Sequence, residues 1–226
     1  MRSGVQKFWN TDHKRISIKR GPSSYAVGKE KLFPRNSLVC DLGGGTGSDT
    51  TYFLKKGHRV VIVDISDYAL SVAVKKAKDQ ELKDKLEVRQ LDLTDGVIPY
   101  KDSLFDIIYS RLTLHEFLKK NLRKIFRNIY KVLKPGGRAF LTVKSPEDKK
   151  EMGYLQKTTR KINHDVFKSD GIYKTRYSIN TLKKILSEDQ IKNFQIKEVT
   201  EKLNGRKDII KSGRKSFLLN EITINK

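Results

Sequence analysis

Cysteine is nearly absent: Cys40 is the only one in 226 residues, so no disulfide can form within the chain and nothing calls for an oxidising compartment. Long apolar runs are missing too. No stretch approaches the roughly 20 residues of a spanning helix, and the opening MRSGVQKFWN lacks the apolar segment of a signal peptide. Membrane insertion is therefore not expected, and the expected location is cytoplasmic. Internal repeats and low-complexity linkers are also missing. Negative charge is in short supply, 26 Asp and Glu against 48 Lys and Arg, giving a net charge of +22.

That excess is unevenly spread. Residues 1–36 carry +7, residues 37–100 carry −1, residues 101–144 carry +8 and residues 145–226 carry +8. A neutral segment thus sits inside a basic chain. Either a polyanion contact or Lys-rich solvated faces would account for this, and a stripe cannot be traced without a fold. The sequence carries no signal of oligomeric state, and no metal site is read from it.

Hydrophobic residues make up 37% of the chain, enough for one substantial core. From residue 37, short apolar runs alternate with helical patterns. SLVCDL (37–42), RVVIVDI (59–65), LEVRQLDL (86–93), LFDIIYSR (104–111) and RAFLTVK (138–144) read as buried strands. Ser48 to Lys56, with Ser48 or Asp49 as cap, reads as a helix, as does YALSVAVKKAKDQ (68–80). The strongest helical pattern places Leu118, Leu122, Ile125, Phe126, Ile129, Val132 and Leu133 on one stripe, stopped by Pro135, Gly136 and Gly137. Ser178 should cap a further helix, and NFQIKEVTEKL (193–203) and SFLLNEITINK (216–226) read as two closing strands. The expected fold is α/β, a Rossmann-like doubly wound sheet of seven strands, mostly parallel with an antiparallel last strand. Residues 1–36 are expected to form a helical lid segment before one domain, 37–226, with 145–178 as a substrate-side insertion.

Ligands of such sheets bind beyond the carboxyl ends of the strands, where Asp41, Asp64, Asp92 and Ser110 stand. In VCDLGGGTG (39–47) the glycines permit a tight turn and close approach of a ligand to the backbone. A Walker loop needs Lys then Ser/Thr after its last glycine, whereas Gly47 is followed by Ser48 and Asp49. A dinucleotide loop counted from Gly43 would need glycine where Ser48 stands. Asp41, two residues before the first glycine, suits a ligand bearing positive charge, such as a sulfonium with an α-amino group. Asp64 lies 21 positions after Gly43, the spacing at which a carboxylate takes ribose hydroxyls.

D-x-G-x-G-x-G at Asp41 to Gly47, Asp64 at the second strand end, LDL at 91–93, FDIIYS at 105–110 and LKPGG at 133–137 together resemble the class I methyltransferases that use S-adenosylmethionine, of the type 11, 12 and 25 kind. The resemblance runs in register from residue 37 to about 144. It implies S-adenosylmethionine as cofactor. Gly43, Gly45 and Gly47 would face the cofactor backbone, Asp41 would sit near its methionine amine, and Asp64, with Ile65, would hold its ribose diol. Asp92 and Leu93 would border the adenine, and Ser110 would line the pocket floor. Cys40 is read as core packing on the first strand.

The resemblance leaves the methyl acceptor open. RLTLHEF (111–117) resembles the stretch of small-molecule members in which a histidine follows the fourth strand, so His115 is the candidate base or substrate contact; its alternative role is packing beneath the crevice. Trp9, Arg111, Lys144, Tyr173 and Arg176 are candidate substrate residues, and FWNTDHKR (8–15) resembles an entry segment folding over the cofactor, with Trp9 and His13 as lid contacts. YSRL lacks the Asn/Asp-Pro-Pro-aromatic mark of base amino-methyltransferases, and Cys40 cannot serve a cytosine C5 enzyme. Of the Lys-Asp-Lys-Glu set of ribose enzymes only Lys144 is matched. LTDGVIPYKDSLFDIIYS with SDGIYKTRYSINTLKKIL (169–186) resembles transfer-RNA 3-methylcytidine enzymes and also bacterial methyltransferases of unassigned substrate. A small or medium-sized acceptor leads, RNA gripped by the basic flank is the alternative, and a non-catalytic cofactor-binding partner subunit is a third.

Overall fold

The computed structural model describes residues 2–15, 21–202 and 216–226. Each apolar run becomes a strand: β1 (Leu38–Leu42), β2 (Arg59–Asp64), β3 (Leu86–Gln90), β4 (Phe105–Ser110) and β5 (Leu133–Lys144), followed late in the chain by β9 (Phe194–Lys202) and β10 (Ser216–Asn225). They form one seven-stranded sheet in the order β3-β2-β1-β4-β5-β10-β9. The first five run parallel, and β10 is antiparallel to both of its neighbours, as the closing pair of runs implied. The strand order reverses between β1 and β4, so the carboxyl ends of these two strands flank the crevice where such sheets bind ligands.

Helices cover both faces. On one lie α2 (Ser24–Glu30), α3 (Ser48–Lys55) and α4 (Asp67–Lys78), with Tyr25, Phe53, Leu70 and Ala73 packed on Val39, Ile62, Ile107 and Tyr109. On the other, α5 (Lys119–Val132) and α7 (Ile179–Glu188) press Leu122, Phe126, Ile129, Leu182 and Ile185 onto Cys40, Leu42, Ile108 and Leu141. Successive strand residues thus serve opposite cores, as the pleat requires, and Cys40 is a buried core residue. The polar face of α5 is basic. Arg123 and Arg127 converge on Asp189 at 2.8 and 3.1 Å, while Lys119, Lys120 and Lys124 stay exposed.

Four local features depart from the sequence reading. The cap of α3 is Gly47, left-handed at φ 71°, with no side-chain cap from Ser48 or Asp49; the helix starts one residue earlier than expected, at a backbone conformation that glycine alone adopts without strain. LKPGG ends α5 as expected but is itself the start of β5, a bulge against β4 between Phe105 and Ile107. Strand β3 stops at Gln90 rather than continuing to Leu93. The insertion is more structured than its mixed composition indicated. Helix α6 (Lys149–Thr158) leads into a separate antiparallel sheet of β6 (Arg160–Lys161), β7 (Val166–Ser169) and β8 (Ile172–Thr175). Ser178 caps α7 as expected, accepting from the Thr181 amide.

Before the sheet, α1 (Arg2–Lys14) packs on α4. Asn10 Nδ2 and Gln6 Nε2 donate to Asp67 Oδ1 at 2.7 and 3.1 Å, and Ser66 Oγ donates to Asn10 Oδ1 at 2.6 Å. Among the described residues no helix is long and apolar enough to cross a membrane.

Two glycines give opposite expectations. A Cβ on Gly47 would lie 2.7 Å from Ala73 Cβ at a positive φ, so Gly47→Ala should lower stability by at least ~2 kcal/mol from backbone strain and overpacking. A Cβ on Gly153 in α6 meets nothing within 4 Å, so Gly153→Ala should raise stability by ~0.5–1 kcal/mol. Denaturant midpoints of the two variants check both signs.

Candidate functional site

The loop between β1 and α3 is built on left-handed backbone. Gly43, Gly45 and Gly47 sit at φ 71°, 54° and 71°, where any other residue would be strained. The amides of Gly43 and Gly44 both donate to Val63 O on β2, at 2.7 and 3.2 Å. A side chain on Gly43 would collide with Thr113, in the segment after β4, and one on Gly45 would reach His13 Cε1 at 3.0 Å. The loop is therefore pressed between the ends of β2 and β4, with the end of α1 above it.

Two buried carboxylates flank this loop. Asp64, at the end of β2, accepts from the Gly45 amide through Oδ2 at 2.9 Å and from the Ser66 amide through Oδ1 at 2.8 Å. Burial pushes its pKa up, opposed by nearby His13 and by those amide bonds. Asp41, at the end of β1, accepts from Thr50 Oγ1 at 2.6 Å. Burial pushes it up to about 7, the Thr50 hydroxyl opposing and the charges of Asp49 and Asp64 adding to the shift. Such a carboxyl ionises readily once a cation arrives beside it.

A second polar group lies beyond β4. His115 and Glu116 occupy a single turn, Leu114–Glu116, with His115 Nε2 3.2 Å from Glu116 Oε1. Burial drives His115 down to about 3, so its ring is neutral. Glu116 sits at about 2: burial works against this, but the His115 hydrogen bond and the charges of Lys174 and Arg176 outweigh it. Arg176 is 1% exposed and pairs with Glu151, which also binds Lys144 at 3.0 Å. Burial lowers Arg176 to about 10, leaving it charged at neutral pH.

A family model described as "Methyltransferase domain" matches residues 40–141, the stretch that holds the loop, both acids and the turn after β4. The ubiquinone/menaquinone biosynthesis C-methyltransferase of Pectobacterium carotovorum is 36% identical over 107 residues, 46% of this chain and 41% of that one. Residues 40–141 thus carry a methyltransferase domain, of the class I kind that uses S-adenosylmethionine. The chain spans only about two fifths of the curated relatives it matches. Among solved structures, a SAM-dependent methyltransferase from Methanosarcina mazei is similar with TM-score 0.68 and 19% identity, covering 87% of this chain and 95% of that one. The 1,6-didemethyltoxoflavin-N1-methyltransferase of Burkholderia thailandensis, solved with S-adenosylhomocysteine, gives TM-score 0.62 and 18% identity, covering 90% and 79%. At such identities the likeness is one of fold.

The expected residues fall into groups. Asp41, Gly43, Gly45, Gly47 and Asp64 lie together around the loop between β1 and α3. Ile65 follows, half-buried, its carbonyl accepting from Gln90 Nε2 at 3.2 Å. Asp92 caps a short turn, its Oδ1 accepting from the Thr94 amide at 2.8 Å, and Leu93 is buried in the α5 core. The Ser110 hydroxyl donates to Leu42 O at 2.8 Å, tying β4 to β1. Arg111 is spent on Glu201 of β9 at 2.8 Å. Trp9 packs against His13 with the rings tilted at 36° and centroids 5.9 Å apart, and Tyr173 lies under Lys168 Nζ at 5.0 Å. Lys144, His115 and Arg176 come together with Glu116 and Glu151.

Sequence reasoning missed Thr50, Thr113, Glu116 and Glu151, and read Asp49 only as a helix cap. Asp49 accepts from the Ser23 amide, Ser23 Oγ and Tyr109 Oη at 2.7 to 2.8 Å, fixing α2 to α3. Glu116 could have been noticed as the acid beside His115; Glu151 has no such signal, since it lies in a helix of mixed charge.

The Asp41 shift has a testable sign. A carboxyl whose folded pKa rises from 3.8 to about 7 keeps its proton in the native state after the unfolded chain has lost it. Stability then falls as pH rises through that window, by at most a few kcal/mol. Asp41→Asn, which still accepts from Thr50, should flatten this slope between pH 4 and 7 in denaturant titrations of the unliganded protein.

Proposed function

We propose that the protein methylates a small or medium-sized acceptor, with S-adenosylmethionine as donor. The observation that carries this reading is the meeting of a bare glycine loop with two buried acids, one satisfied by backbone amides and one held near neutrality with a hydroxyl as its hydrogen-bond donor. The residues fit that cofactor. The glycines leave room at the loop, Asp41 awaits the cationic methionine end, and Asp64 borders the loop where ribose hydroxyls would lie. When bound, S-adenosylmethionine supplies a methyl group on a sulfonium, which an acceptor atom takes by in-line displacement, leaving a thioether.

The chain's own work is binding and orientation, which can supply much of the rate. Asp41 gives up its proton and pairs with the arriving cation. Thr113, hydrogen-bonded to Gly43 O at 3.3 Å, links the loop to the turn bearing His115, so donor and acceptor ends share one rigid frame. Helix α1 brings His13 over Gly45 and is the natural cover. A small acceptor is favoured over RNA because the polar groups beyond β4 are buried, where a polymer could not reach them. The exposed cations Lys119, Lys120 and Lys124 lie on α5 instead. The ionisation of His115 only near pH 3 makes it a hydrogen-bond acceptor rather than the proton sink of the reaction. The lone buried cysteine and the lack of a spanning helix among the described residues support a cytoplasmic setting.

Calorimetry tests the donor. S-adenosylmethionine should bind the full chain, and Asp64→Ala should weaken binding about tenfold or more, one charge-assisted hydrogen bond being worth ~1.5–3 kcal/mol. Unchanged affinity in the variant would remove Asp64 from the site.

A further inference from the structure

Three buried side-chain atoms beyond β4 have no hydrogen-bond partner: His115 Nδ1, Glu116 Oε2 and Arg176 Nε. Buried polar groups are almost always paired, and orphans cost stability unless something else meets them. These three belong to one cluster. Arg176 acts electrostatically on both His115 and Glu116, and its neighbour Thr175 donates to His115 O at 2.9 Å. The frame around them is rigid. Tyr177 Oη donates to Phe117 O at 2.8 Å, the Arg176 amide donates to Asp165 O at 2.8 Å, and Asn220 Nδ2 donates to Tyr177 O at 2.8 Å.

The hydrogen-bonding character of each atom follows from its partners. Glu116 is ionised, so the hydrogen between it and His115 lies on Nε2, and a neutral ring then leaves Nδ1 as a bare lone pair. Glu116 Oε2 is likewise an acceptor. Arg176 Nε carries a hydrogen and can only donate. The cluster therefore offers two acceptors and one donor.

We propose that these three atoms are the recognition edge for the methyl acceptor, and that the acceptor bears an N–H or O–H beside a carbonyl-type oxygen, as in a lactam, an enolic ketone or an amide. Its hydrogen meets His115 Nδ1 or Glu116 Oε2, both where it carries two, and its oxygen meets Arg176 Nε. A phosphate is excluded by the Glu116 carboxylate, and a purely apolar chain would leave all three atoms unpaired, a large penalty for the wrong ligand. The inference rests on the methyltransferase reading only in calling this ligand the methyl acceptor.

The test uses the full chain with S-adenosylhomocysteine, whose own binding is measured first, so that failure of the donor site is told apart from failure here. Uracil and salicylamide are the probes, with 1,3-dimethyluracil and 2-methoxy-N,N-dimethylbenzamide as partners lacking the donor hydrogens. At least one probe should bind, its donor-less partner should not, and the unprotonated ¹⁵N resonance of His115 Nδ1 should move on binding. Glu116→Gln, which turns Oε2 into a donor, should weaken the probe about tenfold while leaving S-adenosylhomocysteine affinity unchanged. Should that variant not fold, the nitrogen resonance decides alone. Failure of every probe to bind, equal binding of the donor-less partners, or an unmoved His115 resonance overturns the proposal and leaves ordered water as what satisfies these atoms.

Discussion

The hydrogen bond from the Gly45 amide to Asp64 joins the ends of two neighbouring strands, and the crevice depends on it. The loop after β1 can make this contact only because its glycines take left-handed backbone. With the second Asp64 oxygen on the Ser66 amide, the same carboxylate also sets the start of α4, whose residue Ala73 leaves no room for a side chain at Gly47. One acid thus fixes the loop and the helix behind it. Asp41 is the counterweight: buried in the same place with a hydroxyl donor, it stays near neutrality until a cation joins it.

On the far side of β4 the logic differs. There the charges are paired inside the protein, Lys144 and Arg176 with Glu151, and Arg111 with Glu201. Burying such pairs is weak evidence for stability, yet it fixes side chains that would otherwise wander. The three-stranded insertion sheet and the turn carrying His115 are locked by Thr175 and Tyr177. Part of the net charge of +22 lies on the exposed face of α5, at Lys119, Lys120 and Lys124.

The parallel sheet was legible because its strands are short apolar runs separated by helices with a clear stripe, the strongest at Leu122, Ile125, Phe126 and Ile129. The glycine loop and its two acids were legible because each residue type there answers a specific need. The insertion sheet was not: strands as short as Arg160–Lys161 and Ile172–Thr175 are too brief and too polar to show a period of two. The partners of Arg111 and Ser110 were likewise hidden, since Glu201 and Leu42 lie far away in sequence or offer only a carbonyl. Glu151 became visible only when the fold placed it beside Lys144 and Arg176.

If Asp41 is the counter-charge for the cofactor's cationic end, binding must release the proton that burial holds there. Calorimetric titration of the protein with S-adenosylmethionine at pH 6, in two buffers of different ionisation enthalpy, measures that number directly. Close to one proton released per molecule bound is predicted for the natural chain, and close to none for Asp41→Asn. Tight binding without proton release by the natural chain would contradict the account.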